Sequence, residues 1–192
     1  MSKATTQPLW QHRAAFPDQN RVSIEKSPEI VSLRSRVGDW EADAGIGKQG
    51  QSLLVALVAL TTRFSVTIRD ANQTAQAVTE AICDNLKPYQ DRVFTLTYDN
   101  RREFTHHKPS SHDRKAEGFF ANPYHSYESG LNKNTNGLIR QYVPKDKDID
   151  DLNDQQVTQI MNKINNRPRK CLGFKTPNQL FLSPNQTVAM AR

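Results

Sequence analysis

Leu53-Leu-Val-Ala-Leu-Val-Ala-Leu60 is an eight-residue run without a polar side chain. A run of this length predicts a strand that is buried on both faces, as central strands of a sheet are. The next stretch, Arg63-Phe-Ser-Val-Thr-Ile-Arg69, alternates apolar and polar residues and predicts its hairpin neighbour. We therefore expect a sheet whose central strand needs cover on both sides.

The stretch that precedes the apolar run, Val37-Gly-Asp-Trp-Glu-Ala-Asp43, also alternates and predicts a further strand. Its apolar and acidic side chains fall on opposite faces, with Trp40 and Ala42 on one and Asp39, Glu41 and Asp43 on the other. Three carboxylates on one face are costly unless that face meets water, a cation or a basic partner. The acidic face is therefore a candidate for function.

The remaining elements follow from periodicity and from helix-breaking residues. Apolar residues at helical spacing predict a helix from Ala75 to Leu86 that Pro88 ends. Strands are predicted over 93–98 and 118–121, and helices over 132–142, 155–165 and 176–181. This order predicts an α/β fold in which helices flank a mixed five-stranded sheet. Residues 1–33 show no sustained period and are predicted to be an extended tail or linker.

Two aspartates are predicted to close strands, Asp43 the first and Asp99 the fourth. Two carboxylates that meet at the edge of a sheet repel each other unless a divalent cation lies between them. With a third oxygen ligand, the pair could hold two Mg²⁺ ions for in-line attack at a phosphodiester. The alternative is that both are ordinary surface acids.

Composition and charge exclude several classes of protein. No apolar stretch reaches the length of a membrane span, no signal peptide opens the chain, and two cysteines cannot form a disulfide framework. We therefore expect a soluble cytoplasmic protein without membrane partners. The net charge of +6 lies entirely in residues 155–192, which contain six Lys or Arg and no Asp or Glu. A basic segment of this kind predicts a polyanion partner, and a solvated basic face is the alternative.

Five motifs together resemble the catalytic half of bacterial insertion-sequence transposases of the IS-thirty family. The likeness covers about residues 20–182, and the motifs lie in the family's order and spacing. The five motifs are Gly38-Asp-Trp-Glu-Ala-Asp43, Tyr98-Asp-Asn100 with Glu103-Phe104, Asn122-Pro-Tyr-His-Ser126, Asn132-Lys-Asn-Thr-Asn-Gly-Leu-Ile-Arg-Gln-Tyr142 and Asn165-Asn-Arg-Pro-Arg-Lys-Cys-Leu-Gly-Phe-Lys-Thr-Pro177. The resemblance implies the ribonuclease H-like fold of the retroviral integrase superfamily. It also implies DNA cleavage and strand transfer through a carboxylate triad with Mg²⁺ or Mn²⁺, in a bacterial cytoplasm.

The resemblance assigns two triad positions and shows a departure at the third. Asp43 and Asp99 match the two aspartates, which would be the metal ligands. The family's third carboxylate is a Glu at the start of a long helix, and this chain has Lys133 there. A protonated Lys cannot ligate Mg²⁺ and places a positive charge beside the cation site. Glu103 and Glu128 are the possible surrogate carboxylates.

Two further departures from the family's pattern predict that the chain is a truncated copy of a transposase, which keeps the fold and is impaired in catalysis. The family usually has Gly after Asp-Asn, whereas this chain has Arg101, and residues 1–33 cannot supply the family's helix-turn-helix segments. The expected organisation is a tail over 1–33, a transposase core over 34–182 and a tail over 183–192. The expected partners are DNA, a second copy of the chain and an intact transposase.

The side chains expected to contact DNA share a positive charge and lie in two of the motifs: Lys133, Arg140, Arg167, Arg169 and Lys170. The function predicted from these observations is that of an impaired DNA transposition and integration domain. A non-catalytic remnant that binds DNA or oligomerises is one alternative. A ribonuclease H-like nuclease that retains hydrolysis through a replacement carboxylate is another.

Overall fold

The computed structural model describes residues 21–46, 52–70, 74–99, 104, 116–121, 130–144 and 146–183. Five strands and five α-helices lie within these ranges. The strands are β1 (Asp39–Ile46), β2 (Leu53–Ala59), β3 (Ser65–Asp70), β4 (Thr95–Tyr98) and β5 (Glu117–Phe120). The helices are α1 (Glu29–Ser32), α2 (Ala75–Leu86), α3 (Gly130–Ile139), α4 (Asp154–Asn165) and α5 (Pro177–Leu182). None of the helices in the described ranges is long and apolar enough to cross a bilayer.

The strands form one mixed sheet in the order β3-β2-β1-β4-β5. Strands β1, β2 and β3 follow one another as antiparallel neighbours, because short connections favour hairpins. Strand β4 is parallel to β1 and β5 is parallel to β4, and α2 lies in the connection that leads to β4. The predicted α/β fold with a mixed five-stranded sheet is confirmed.

The central strand β2 is buried along its whole length, as its continuous apolar run predicts. Val55 and Leu57 face a core that includes Trp40 and the apolar side of α2. Leu54 and Ala56 face the opposite way, into a second core formed with α3 and α4. The sheet therefore separates two apolar layers, and the acidic face of β1 lies on the side of α3.

Residues 21–33 are more ordered than the predicted tail. Ser23 bridges Phe120 at the end of β5, a short 3₁₀ helix spans Ile24–Lys26, and α1 buries Val31. Sequence periodicity does not show these elements because they are too short to repeat an apolar spacing. Residues 1–20 and 184–192 lie outside the described part of the chain.

One buried amide joins α4 to the edge of the sheet. Asn165 Oδ1 accepts hydrogen bonds from Ser65 N at 2.8 Å and Ser65 Oγ at 3.1 Å, and Asn165 Nδ2 donates to Ser65 O at 2.8 Å. Both residues are buried, so each of these groups would otherwise lack a partner. Asn165 therefore fixes the C-terminal end of α4 against β3.

We expect Asn165→Ala to lower the free energy of unfolding by about 2 kcal/mol, because it leaves buried polar groups of Ser65 unsatisfied. Urea unfolding followed by circular dichroism measures the change. Asn162→Ala removes an exposed amide from the same helix and is the matched control. Equal stability of the two variants would contradict the assigned role.

Candidate active site

The acidic face of β1 is buried rather than solvated. Asp39, Glu41 and Asp43 are all buried, while Trp40 and Ala42 point into the core on the other side of the sheet. The predicted division of β1 into an apolar and an acidic face is therefore observed. A buried carboxyl is costly without a partner, and the surroundings of the three carboxyls differ along the strand.

Asp39 belongs to a structural ion pair. Arg36 Nη2 lies 2.8 Å from Asp39 Oδ1, Arg36 Nε donates to Oδ2 at 3.0 Å, and Thr95 Oγ1 donates to Oδ1 at 2.7 Å. The hydrogen bonds to Asp39 raise the pKa of Arg36. The Asp39 carboxylate therefore links the start of β1 to β4, and its oxygens are bound to Arg36 and Thr95.

Asp43 and Asp99 lie next to each other across the β1–β4 pairing. Ala42 of β1 pairs with Tyr98 of β4, and Asp99 N donates to Ala42 O at 3.3 Å. Asp43 and Asp99 each follow one residue of this pair, so they lie beside each other on neighbouring parallel chain segments. Such strands are about 4.8 Å apart. Asp99 follows the end of β4 as predicted, whereas the prediction that Asp43 closes β1 is corrected, because β1 continues to Ile46 by pairing with β2.

Helix α3 places amide side chains over the acidic face. Asn136 Nδ2 donates to Asp43 Oδ2 at 2.7 Å, and the Asn132 side chain lies by Glu41. Lys133 is exposed and lies one helical turn before Asn136 on the same stripe of α3. Asn132 directly precedes Lys133, so the turn that carries Lys133 lies over the acidic face of β1, by Glu41.

Glu41 was predicted to lie on the acidic face of β1, but the sequence assigned it no role of its own. Its side chain is 4 % exposed and faces α3 between Asp39 and Asp43. Burial raises the pKa of Glu41 to about 7. The charge of Asp43 acts in the same direction, and the charges of Arg34 and Arg63 oppose it. The alternation of β1 is the signal that places Glu41 on this face, but its burial depends on α3.

The basic residues that are predicted to contact DNA differ in their exposure and in their hydrogen bonds to the rest of the protein. Arg140 Nη1 donates to Val143 O at 3.5 Å, and Arg167 Nη1 donates to Gln141 Oε1 at 2.9 Å. Arg169 is half-buried, and its Nη2 donates to Ile164 O at 3.1 Å. Burial is also the main reason that the pKa of Arg169 is lowered. Lys170 is exposed, as Lys133 is.

The described residues do not provide the donor set of a two-ion site. Within the described ranges, no group of three His, Cys, Asp or Glu side chains could hold a metal ion. Asp43 and Asp99 place two carboxylates on neighbouring strands, and the residue at the position that the resemblance gives to the third carboxylate is Lys133. The surrogates Glu103 and Glu128, with Arg101 and the 122–126 motif, lie outside the described residues.

The fold matches that of retroviral integrase catalytic cores, which are ribonuclease H-like. The chain superposes on the catalytic core of bovine immunodeficiency virus (BIV) integrase with a TM-score of 0.59 and 16% identity, covering 77% of this chain and 95% of that one. It also superposes on a chain of the simian T-cell lymphotropic virus intasome complex with a TM-score of 0.59 and 20% identity, covering 81% of this chain and 58% of that one. No protein-family model matches the chain.

Sequence comparison identifies the relatives more narrowly. The chain is 40% identical to the transposase for insertion sequence element IS4351 of Bacteroides fragilis, over 84% of this chain and 49% of the relative. It is 37% identical to the probable transposase for insertion-like sequence element IS1161 of Streptococcus salivarius, over 83% of this chain and 46% of the relative. It is 31% identical to transposase InsI for insertion sequence element IS30A of Escherichia coli, over 84% of this chain and 42% of the relative. The chain is homologous to insertion-sequence transposases, those of the IS-thirty family included, and spans about half the length of these relatives.

Proposed function

We propose that the chain is a transposase-derived DNA transposition and integration core that binds DNA and is impaired in DNA cleavage. The observation that carries this proposal is the position of Lys133. Asn136 holds α3 against Asp43, and the preceding turn of the helix presents an ammonium where the resemblance to the transposases implies a carboxylate.

The charge of Lys133 weakens the site in two ways. It removes one oxygen ligand, and it repels a divalent cation between Asp43 and Asp99. At about 4 Å, the repulsion between two unit charges is about 1 to 4 kcal/mol, depending on the effective dielectric. In an intact site, Mg²⁺ or Mn²⁺ would activate the attacking oxygen and stabilise the phosphate being transferred. The carboxylates of the described residues do not supply the donor set for two such ions.

DNA binding is supported by the distribution of charge rather than by the acidic site. The segment from Gln155 onward contains six basic and no acidic side chains. Within it, Lys163, Lys170 and Lys175 are exposed, and Lys163 Nζ lies 5.3 Å from the centre of the Tyr142 ring. A one-signed surface of this kind binds the phosphate backbone of DNA independently of sequence.

A non-catalytic remnant that binds DNA, pairs with a second copy or joins an intact transposase is the second candidate. The positive charge of Lys133 at the position that the resemblance gives to the third ligand favours it, because a cation there opposes metal binding. The two candidates differ in residual chemistry: an impaired core retains a trace of metal-dependent activity that depends on its aspartates, and a remnant has none.

We expect the protein to show at most trace Mg²⁺- or Mn²⁺-dependent nicking of supercoiled plasmid, because its third metal ligand is replaced by Lys133. The measurement is the conversion of supercoiled to nicked plasmid, with salt-dependent DNA binding recorded on the same preparation. Asp99→Asn is the control that identifies any contaminating nuclease. Robust nicking that Asp99→Asn abolishes would show that the site is intact, and would make Glu103 or Glu128 the first candidate for the missing ligand.

A further inference from the structure

The turn from Arg169 to Lys175 is held in one conformation by its own backbone. Arg169 N donates to Lys175 O at 3.0 Å, and Phe174 N donates to Arg169 O at 2.9 Å, so the ends of the turn are closed on each other. Leu172 is buried and anchors the turn to the body of the protein. The turn is therefore a fixed projection between α4 and α5.

Phe174 occupies an unfavourable position at the tip of this turn. Its φ is 64°, and it follows Gly173 at φ 61°. The left-handed region suits Gly but strains a residue with a Cβ. The Phe174 side chain is also 72 % exposed, so no burial within the chain offsets the strain. A large apolar ring that costs strain and is mostly exposed points to a contact with a partner.

The surroundings of Phe174 are positively charged. Lys170 and Lys175 flank it and are both exposed. Cys171, in the same turn, lies against the Arg63 guanidinium, which brings the β2–β3 hairpin beneath the turn. Arg63 Nη1 and Arg169 Nε are buried and have no hydrogen-bond partner within the described residues. An exposed aromatic ring in a turn that carries Lys170 and Lys175, with two further arginines at its base, suits a partner that offers flat apolar groups beside negative charge.

We propose that Phe174 is a DNA-contacting residue that packs against bases while Lys170 and Lys175 contact the flanking phosphates. This inference rests on the proposed DNA binding and names the apolar part of that contact. DNA combines stacked bases with a dense row of phosphates, and proteins use both exposed aromatic side chains and apolar wedges to contact the bases. A protein partner with an apolar patch would have to bury the same cations without phosphates to neutralise them.

The test compares DNA affinity and its salt dependence in the full chain, using fluorescence anisotropy with a fluorescent duplex of mixed sequence. We expect Phe174→Ala to weaken binding about tenfold at every salt concentration without changing the slope of log K against log salt, because no phosphate contact is lost. Lys170→Gln and Lys175→Gln should each flatten that slope by about one unit. Leu182→Ala, which removes another exposed apolar side chain, is the matched control and should bind as the unmodified protein does.

Two further variants at the same position separate binding from folding. Phe174→Gly relieves the left-handed strain, so it should resist urea at least as well as the unmodified protein and still bind DNA more weakly. Phe174→Trp keeps an aromatic face and should retain affinity. Reduced affinity in a variant of undiminished stability cannot come from unfolding.

The outcomes distinguish this inference from the function on which it rests. If the unmodified chain shows no salt-dependent DNA binding, both the proposed function and this inference are overturned. If it binds DNA and Phe174→Ala matches Leu182→Ala, DNA binding stands and the role of Phe174 is overturned. Loss of self-association in Phe174→Ala by sedimentation, with unchanged DNA affinity, would assign the turn to a protein contact and overturn the inference in the same way.

Discussion

Replacing Lys133 with Glu should create a divalent-cation site. The substitution places a third carboxylate one helical turn before Asn136, whose side chain donates to Asp43. It also converts a repulsive charge into an attractive one, so we expect the affinity for Mg²⁺ to rise at least about tenfold. Isothermal titration calorimetry with Mg²⁺ and Mn²⁺ measures the change directly and does not depend on the recovery of DNA cleavage.

The matched control is Lys147→Glu, which makes the same change of net charge at an exposed lysine after α3. It separates a specific ligand from a general gain of negative charge. Adding Asp43→Asn to Lys133→Glu should abolish the new binding, since the proposed site needs both carboxylates. If Lys133→Glu binds Mg²⁺ no better than Lys147→Glu does, the assignment of position 133 to the metal site is wrong.

Replacing Glu41 with Gln should remove a marked dependence of stability on pH. The pKa of Glu41 is raised from 4.5 to about 7 in the folded protein, so the folded state holds this proton more tightly than the unfolded state does. Its contribution is therefore most favourable below the unfolded pKa, declines as pH rises between the two values, and is constant above about 7. This pKa shift corresponds to a decrease of about 3 kcal/mol in the free energy of unfolding as the pH rises from below the unfolded pKa to above the folded one.

The groups that face Glu41 are Asn132 on α3, Asp43 on its own strand, and the arginines Arg34 and Arg63. The Glu41→Gln substitution keeps the shape of the side chain and removes its ionisation. Urea unfolding in EDTA at about pH 5 and about pH 8 gives the comparison, with the exposed Glu80→Gln as the control. A pH dependence that is the same in Glu41→Gln and in the unmodified protein would show that Glu41 is not the group responsible.

Local patterns were sufficient for the sheet and for most helix bounds. The apolar run identified β2, the alternation of Trp40 and Ala42 with acids identified the two faces of β1, and helical spacing with Pro88 identified α2 from Ala75 to Leu86. In each of these elements the pattern of burial is visible along the chain, as a continuous run in β2, as alternation in β1 and as helical spacing in α2. The ribonuclease H-like fold that the resemblance implied agrees with the integrase cores.

Features that depend on contacts between distant segments were not predicted. Asp43 was expected to close β1, but pairing with β2 extends the strand to Ile46. The burial of Glu41 depends on α3, and the strain at Phe174 depends on how the turn closes after α4. No local period records these contacts. The metal and DNA roles of Asp43 and Asp99, and of the basic residues, remain predictions.

The amide of Asn165 also has a consequence for how copies of the chain can meet. Strand β3 is at one margin of the sheet, and an open margin invites a strand from another molecule to add to it. At Ser65 both backbone groups are already bound to Asn165, so a foreign strand cannot pair there without displacing α4. This side chain therefore opposes the addition of a foreign strand at the β3 margin of the sheet.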